Sequence, residues 1–145
     1  MTLIDVTMRI VHTLFAGVWA GWTVFMAALV VPAARDGKLG ADGIRWMTQQ
    51  FTRFSSLSSV VLLLTGGFMA GNLYSTETLT GSSSGHLVLT MVVLWLALSG
   101  LSHMAGSRLK KNLDAGAKQA AAGATTLFYV AGVVALGLLV VAGWL

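Results

Sequence analysis

From Ile10 to Val31 the chain runs 22 residues without an Asp, Glu, Lys or Arg. Three more stretches repeat the pattern: Phe54 to Leu73, His86 to Gly106 and Thr125 to Leu145 carry no such charge. A helix of about 20 residues crosses the roughly 30 Å hydrocarbon core of a bilayer. Each stretch therefore reads as one crossing. The remainder of the composition agrees, with 56% hydrophobic residues, 10% charged residues and a mean hydropathy of +0.80 over 145 residues. An ordinary soluble domain carries about a quarter charged residues, and a chain this short cannot hide so much apolar surface inside itself. Strands of a membrane barrel alternate over about ten residues, and no such alternation occurs. The first apolar run is also longer than the roughly 7–15 residues of a signal-peptide core. The expected fold is an all-α integral membrane four-helix bundle, one transmembrane domain over 1–145 with spans at about 6–31, 54–73, 86–106 and 125–145.

The absence of cysteine excludes disulfides, iron–sulfur clusters and thiolate metal sites. A pI near 10 and a net charge of +4 do not point to nucleic acid, because the basic residues lie in short connections between apolar spans. Arg35, Lys38, Arg45 and Arg53 fall in the first connection, and Arg108, Lys110, Lys111 and Lys118 in the third. The middle connection, 74–85, has no Lys or Arg. The positive-inside rule then places the first and third connections in the cytoplasm and both termini on the outer side, in the plasma membrane of a prokaryote. Arg9 is the single dissenting base. Pro32 is expected to close the first span, since proline blocks helix continuation. In the first connection, Ile44, Met47, Gln50 and Phe51 suit a short surface helix with Trp46 at the interface. The Ser-, Thr- and Gly-rich middle connection reads as mobile. Gly17 with Gly21, Ala16 with Ala20, and Gly67 with Gly71 have the four-residue spacing that lets helices approach closely in lipid.

Ionisable groups inside a bilayer are costly and usually functional. Here only His12, His86 and His103 titrate near neutral pH within the spans or at their edges. No acidic carrier is available, which argues against the common proton-pump designs. His12 and His86 are expected at one depth, near the outer face. His103 follows His86 by 17 residues, about 25 Å along a helix, so those two cannot share a small cofactor. A neutral imidazole suits haem iron or copper. Met8, Phe15, Ala16, Trp19 and Met26 share the His12 face and suit a porphyrin edge. Met8 is also four residues from His12, and a Met/His pair suits copper(I).

The stretch His12 to Pro32, HTLFAGVWAGWTVFMAALVVP, resembles the first helix of the copper-resistance D (CopD) membrane family: an early His, then Trp19, Gly21 and Pro32-Ala33. RFSSLSSVVLLLTGG, Arg53 to Gly67, is similar to that family's second helix, and the span from Gly85 to its third. The four-helix plan and the pairing of His12 with Trp19 are also similar to the HemJ type of protoporphyrinogen oxidase, which binds haem b. Where that type carries a second His, this chain reads VVPAARDGK. The resemblance implies haem b or copper at His12 and leaves the reaction open.

The sequence therefore points first to a haem b-binding membrane protein, a small cytochrome-like electron carrier linked to quinol or another redox partner, and to a membrane oxidoreductase if it is an enzyme. The expected cofactor-binding residues are His12, His86, His103 and Trp19. His12 and His86 are the expected axial ligands, with His103 or a second copy of the chain as other sources of the second ligand. The alternatives are copper handling, in which Met8, His12, Met69 and Met104 matter more, and a non-enzymatic structural subunit.

Overall fold

The computed structural model describes residues 1–145. It is helical almost throughout and contains no strands. The first helix, α1 (Leu3–Phe25), begins at a reciprocal cap: the Asp5 N–H donates to the Thr2 hydroxyl at 3.2 Å, and the Thr2 N–H donates to the Asp5 carboxylate at 2.8 Å. It passes through a π turn (Met26–Val30) into α2 (Val31–Arg35). The long helix α3 (Ala41–Leu73) follows, then the short α4 (Thr76–Gly81), α5 (Ser83–Asn112), a 3-10 turn (Leu113–Ala115) and α6 (Ala117–Trp144). Four segments are long and apolar enough to cross a membrane: Leu3–Arg35, Ala41–Leu73, Ser83–Ala115 and Ala117–Trp144. The protein is thus a multi-pass membrane protein. Its four long helices form a ring in the order α1, α3, α5, α6, with α6 closing back onto α1 and α2. An even number of crossings brings both termini to one end. The other end carries the α2–α3 and α5–α6 links and eight of the nine Lys and Arg residues.

Several sequence expectations are corrected here. Pro32 does not end the first helix, which runs on to Arg35. Proline lacks an N–H and its ring clashes with the carbonyl four residues back. The π turn just before it, in which the Val31 N–H bonds the Met26 carbonyl five residues earlier, widens the helix and accommodates that clash. The expected surface helix of the first connection is instead the opening of α3, continuous with the second span. Ile44, Thr48 and Phe51 are buried on one face, and Asp42, Arg45, Trp46 and Arg53 lie exposed on the other. At 33 residues, α3 is about 50 Å long, well beyond the hydrocarbon thickness, so its first turns stand clear of the apolar layer.

The middle connection is partly helical. Ser75 caps α4 by accepting the Thr78 N–H, and Ser82 caps α5 by accepting the Gly85 N–H at 3.0 Å. Gly85 is buried, and a Cβ there would collide with the backbone of Thr78 and Leu79. The absent side chain is what lets α4 fold down onto α5.

The expected glycine contacts are also displaced. Nothing approaches within 4 Å of a Cβ placed at Gly17, Gly21, Gly67 or Gly71. Spacing alone marked small-residue stripes; the two glycine pairs face outward, whereas Ala20 is buried with Ala16 packed beside it. Close approaches fall instead at Gly66, Gly106, Gly123 and Gly132, where a Cβ would meet His12, Thr52, Asn112 and Ala27 respectively.

The core is lopsided. A cluster including Met26, Val31, Ile44, Phe51, Leu109, Leu113 and Phe128 fills the basic end, and a smaller one around Trp19, Leu62, Leu98 and Ala135 fills the middle. No residue of 1–18 or 136–145 is buried. Water drives apolar burial where the helices stand clear of lipid, whereas in lipid an apolar side chain loses nothing by facing outward.

Candidate functional site

His12 and Thr65 meet where α1 crosses α3. The Thr65 hydroxyl lies 2.7 Å from the Val61 carbonyl, one turn back on its own helix. That carbonyl also takes its backbone helix bond, so the one hydroxyl proton of Thr65 can go to it or to Nδ1 of His12, which lies 2.8 Å from the same oxygen. With the proton on the Val61 carbonyl, Nδ1 of His12 is the donor and Nε2 of the neutral ring keeps its lone pair. This is the arrangement in which a histidine binds a metal through one nitrogen while a second group orients the other. Gly66 makes room for the ring, since a Cβ there would stand 3.1 Å from His12 Cε1 and 3.6 Å from Nδ1.

The His12–Thr65 contact also sets the register of two antiparallel helices. Met8 lies one turn from His12 toward the terminal end of the bundle, and Met69 lies one turn from Thr65 in the same direction. Both methionines are half-buried. Sequence reasoning named Met8, His12 and Met69 but had no means of seeing that one register aligns them. It did not single out Thr65 or Gly66 at all. A Thr followed by two glycines in an apolar run is the signal that was available.

The other expected site residues lie elsewhere. His86 is exposed and donates from Nε2 to the Thr80 carbonyl at 2.8 Å, tying the start of α5 to α4. No hydrogen bond joins it to His12, and α1 and α5 occupy opposite corners of the ring. His103 is exposed and lines a cleft between α3 and α5, with Met104 exposed beside it. Trp19 is fully buried at the middle of the bundle, and its Nε1–H has no protein partner.

Three of the five residues on the face expected to suit a porphyrin edge are taken up by contacts within the protein. Phe15 stacks on Phe54 with centroids 6.0 Å apart and planes 3° from parallel, while Trp19 and Met26 are buried against other helices. No cluster of three or more His, Asp or Glu side chains occurs. A metal held here would draw on His12 and thioethers, a soft set that favours copper(I) over hard cations.

The α3–α5 cleft is the second polar feature. It has a volume of about 300 Å³ and is lined by Thr52, Ser55, Ser56, Ser59, Val60, Ser99, Ser102 and His103. At its floor the hydroxyls of Ser59 and Ser99 bond each other at 2.8 Å, and the Trp95 Nε1–H donates to the Ser59 carbonyl at 3.2 Å.

Comparison with known proteins gives the family. The family model of copper resistance protein D matches residues 45–145, more than two thirds of the chain. The match takes in α5, α6 and nearly all of α3, including Thr65, Gly66 and Met69, while His12 lies ahead of it. No curated protein and no solved structure matches the chain. The apolar four-helix plan and this match agree, and the chain belongs to the copper resistance protein D (CopD) family.

Proposed function

We propose that the protein handles copper in the membrane, taking part in copper transport or resistance, with His12 as its principal ligand. The observation that carries this reading is the imidazole bonded to Thr65: with the Thr65 proton on the Val61 carbonyl, Nδ1 carries the ring proton and Nε2 offers its lone pair to a metal. Membership of the CopD family supports copper as the ion. Met8 and Met69 supply the thioethers that copper(I) prefers. Both lie on the terminal-end side of His12, in the half of the bundle where α1 has no buried residue, so an ion entering from that end meets the thioethers first. The distribution of basic residues supports placing that end outside the cell and the basic end in the cytoplasm.

The ion is cargo on this reading, and the chain's own residues do three things. His12 binds through Nε2, Thr65 fixes the ring, and Gly66 leaves the ring its space. The haem reading calls for a second axial ligand and a flat pocket. His86 is engaged with Thr80, and the aromatic face beside His12 is occupied by Phe54 and neighbouring helices.

The test is copper(I) binding by detergent-purified protein, read by competition with a chelator, together with the visible spectrum. About one copper per chain, lost in His12→Ala and weakened in Met8→Leu, is the expected result. A Soret band with reducible α and β bands, abolished by His12→Ala, would replace copper by haem b. Full copper binding in His12→Ala, or no binding of either group to the wild type, overturns the proposal.

A further inference from the structure

The cleft between α3 and α5 is not part of the His12 site, and neither family membership nor copper chemistry explains it. Seven of its eight lining residues are polar, although most of them sit in segments the sequence marks as membrane-spanning. Small hydroxyl residues between membrane helices are often packing elements that bond across the interface. Ser59 and Ser99 do this. Ser55 and Ser102 do not: both are more than nine-tenths buried, both line the cleft, and neither hydroxyl has a protein partner. A buried unpaired hydroxyl costs about 1–3 kcal/mol; both oxygens are closed to water in this packing, and each reaches the cleft only by a turn of its side chain. No carboxylate lines the cleft to hold a bare cation, and no Lys or Arg lines it to hold an anion. Its hydroxyls carry both hydrogen-bond roles at no net charge, which is the chemistry of water.

We infer that the α3–α5 cleft is a water-filled vestibule that opens at the basic end and carries water into the apolar layer as far as the Ser59–Ser99 bond. At roughly 30 Å³ per molecule, its volume of about 300 Å³ takes on the order of ten waters. Depth follows from α3. The apolar run begins at Phe54, and Val60, the one apolar lining residue, lies six residues further in, about 9 Å along the helix. His103, exposed on α5, stands at the lining with an imidazole that water keeps solvated. From Val60 to Thr65 is a further five residues, about 8 Å. On the copper reading the vestibule shortens the dry path between His12 and the basic end. That consequence rests on the copper reading, and the vestibule itself does not.

The chain has no native cysteine, so single cysteines report access directly. The decisive pair is Val60→Cys and Leu57→Cys. Both native side chains are more than half exposed on α3, and only Val60 lines the cleft. Leu57 lies three residues nearer the basic end, so depth alone makes it the faster to react. The measurement is the labelling rate in oriented vesicles with a charged, membrane-impermeant methanethiosulfonate, with Lys38→Cys marking which orientation exposes the basic end. A thiol reacts as its thiolate, which needs water, so Val60→Cys should react about tenfold faster than Leu57→Cys, and only from the basic end. Equal rates, a faster Leu57→Cys, no reaction at Val60→Cys, or labelling from the terminal end each overturn the vestibule. These readouts need no copper, so they stand or fall independently of the His12 test.

Discussion

Replacing Thr65 by Val removes one oxygen and keeps the shape of the side chain. On the proposed tautomer the native oxygen has two duties: it donates to the Val61 carbonyl at 2.7 Å and accepts from His12 Nδ1 at 2.8 Å. The first loss is mild, because that carbonyl still accepts its backbone helix bond. The second strips the only partner that fixes the imidazole. Hydrogen bonds between membrane helices average about 0.6 kcal/mol and reach about 1.7 kcal/mol, and leaving a half-buried donor unpaired pushes toward the upper figure. A preference of about 1.4 kcal/mol is a tenfold bias in an equilibrium. Nitrogen-15 spectra of histidine-labelled protein in micelles should therefore show the His12 proton held at Nδ1 in the wild type and spread over both ring nitrogens in Thr65→Val. Copper(I) affinity should fall about tenfold to a hundredfold, the usual effect of removing a group that orients a ligand, with unfolding stability lower by about 1 kcal/mol. Thr65→Ser, which keeps the hydroxyl, should restore the tautomer. A His12 proton on Nε2 in the wild type, or one that stays on Nδ1 in Thr65→Val, refutes the assignment of donor and acceptor on which the site is built.

Three further expectations concern the packing. A Cβ at Gly106 would stand 2.6 Å from Thr52 Oγ1, so Gly106→Ala should cost about 1–3 kcal/mol in overpacking. Thr52→Ala in the same chain should recover most of that loss in a denaturation series. Trp19→Ala should lose about 3–5 kcal/mol, as large core truncations do, whereas Trp19→Phe should cost far less, because it keeps a ring and deletes a donor that has no partner. The Arg45–Asp114 pair, 3.4 Å apart with both side chains exposed, should contribute under about 1 kcal/mol, and Arg45→Ala should unfold within that margin of the wild type.

The crossings were legible because the requirement for about 20 apolar residues is local and additive. The boundaries were less so. Hydropathy placed the start of the second span at Phe54, but the α3 backbone is already helical at Ala41, since a helix does not stop where lipid stops. Pro32 was read as a terminator from its chemistry, and the π turn shows how a helix can yield one extra residue to accommodate it. The outward-facing Gly17, Gly21, Gly67 and Gly71 carry the same lesson: four-residue spacing reports that residues share a face but not which face meets a neighbour.

Sequence alone determined that this chain lives in a bilayer, that it crosses four times with both termini at one end, that charge gathers at the other end, and that His12 is an ionisable residue set in an apolar helix. Each of these follows from composition read along a single strand of chain. Only the tertiary structure decided that His12 meets Thr65, that Gly66 gives the ring its space, that Met8 and Met69 fall on the same side of that contact, and that Ser55 and Ser102 line one cleft. The physical reason is the solvent. In water, a helix betrays its buried face by polarity, so partners can be guessed from periodicity. In lipid both faces are apolar, the pattern that would encode register is missing, and the contacts between helices become visible only once the helices are packed.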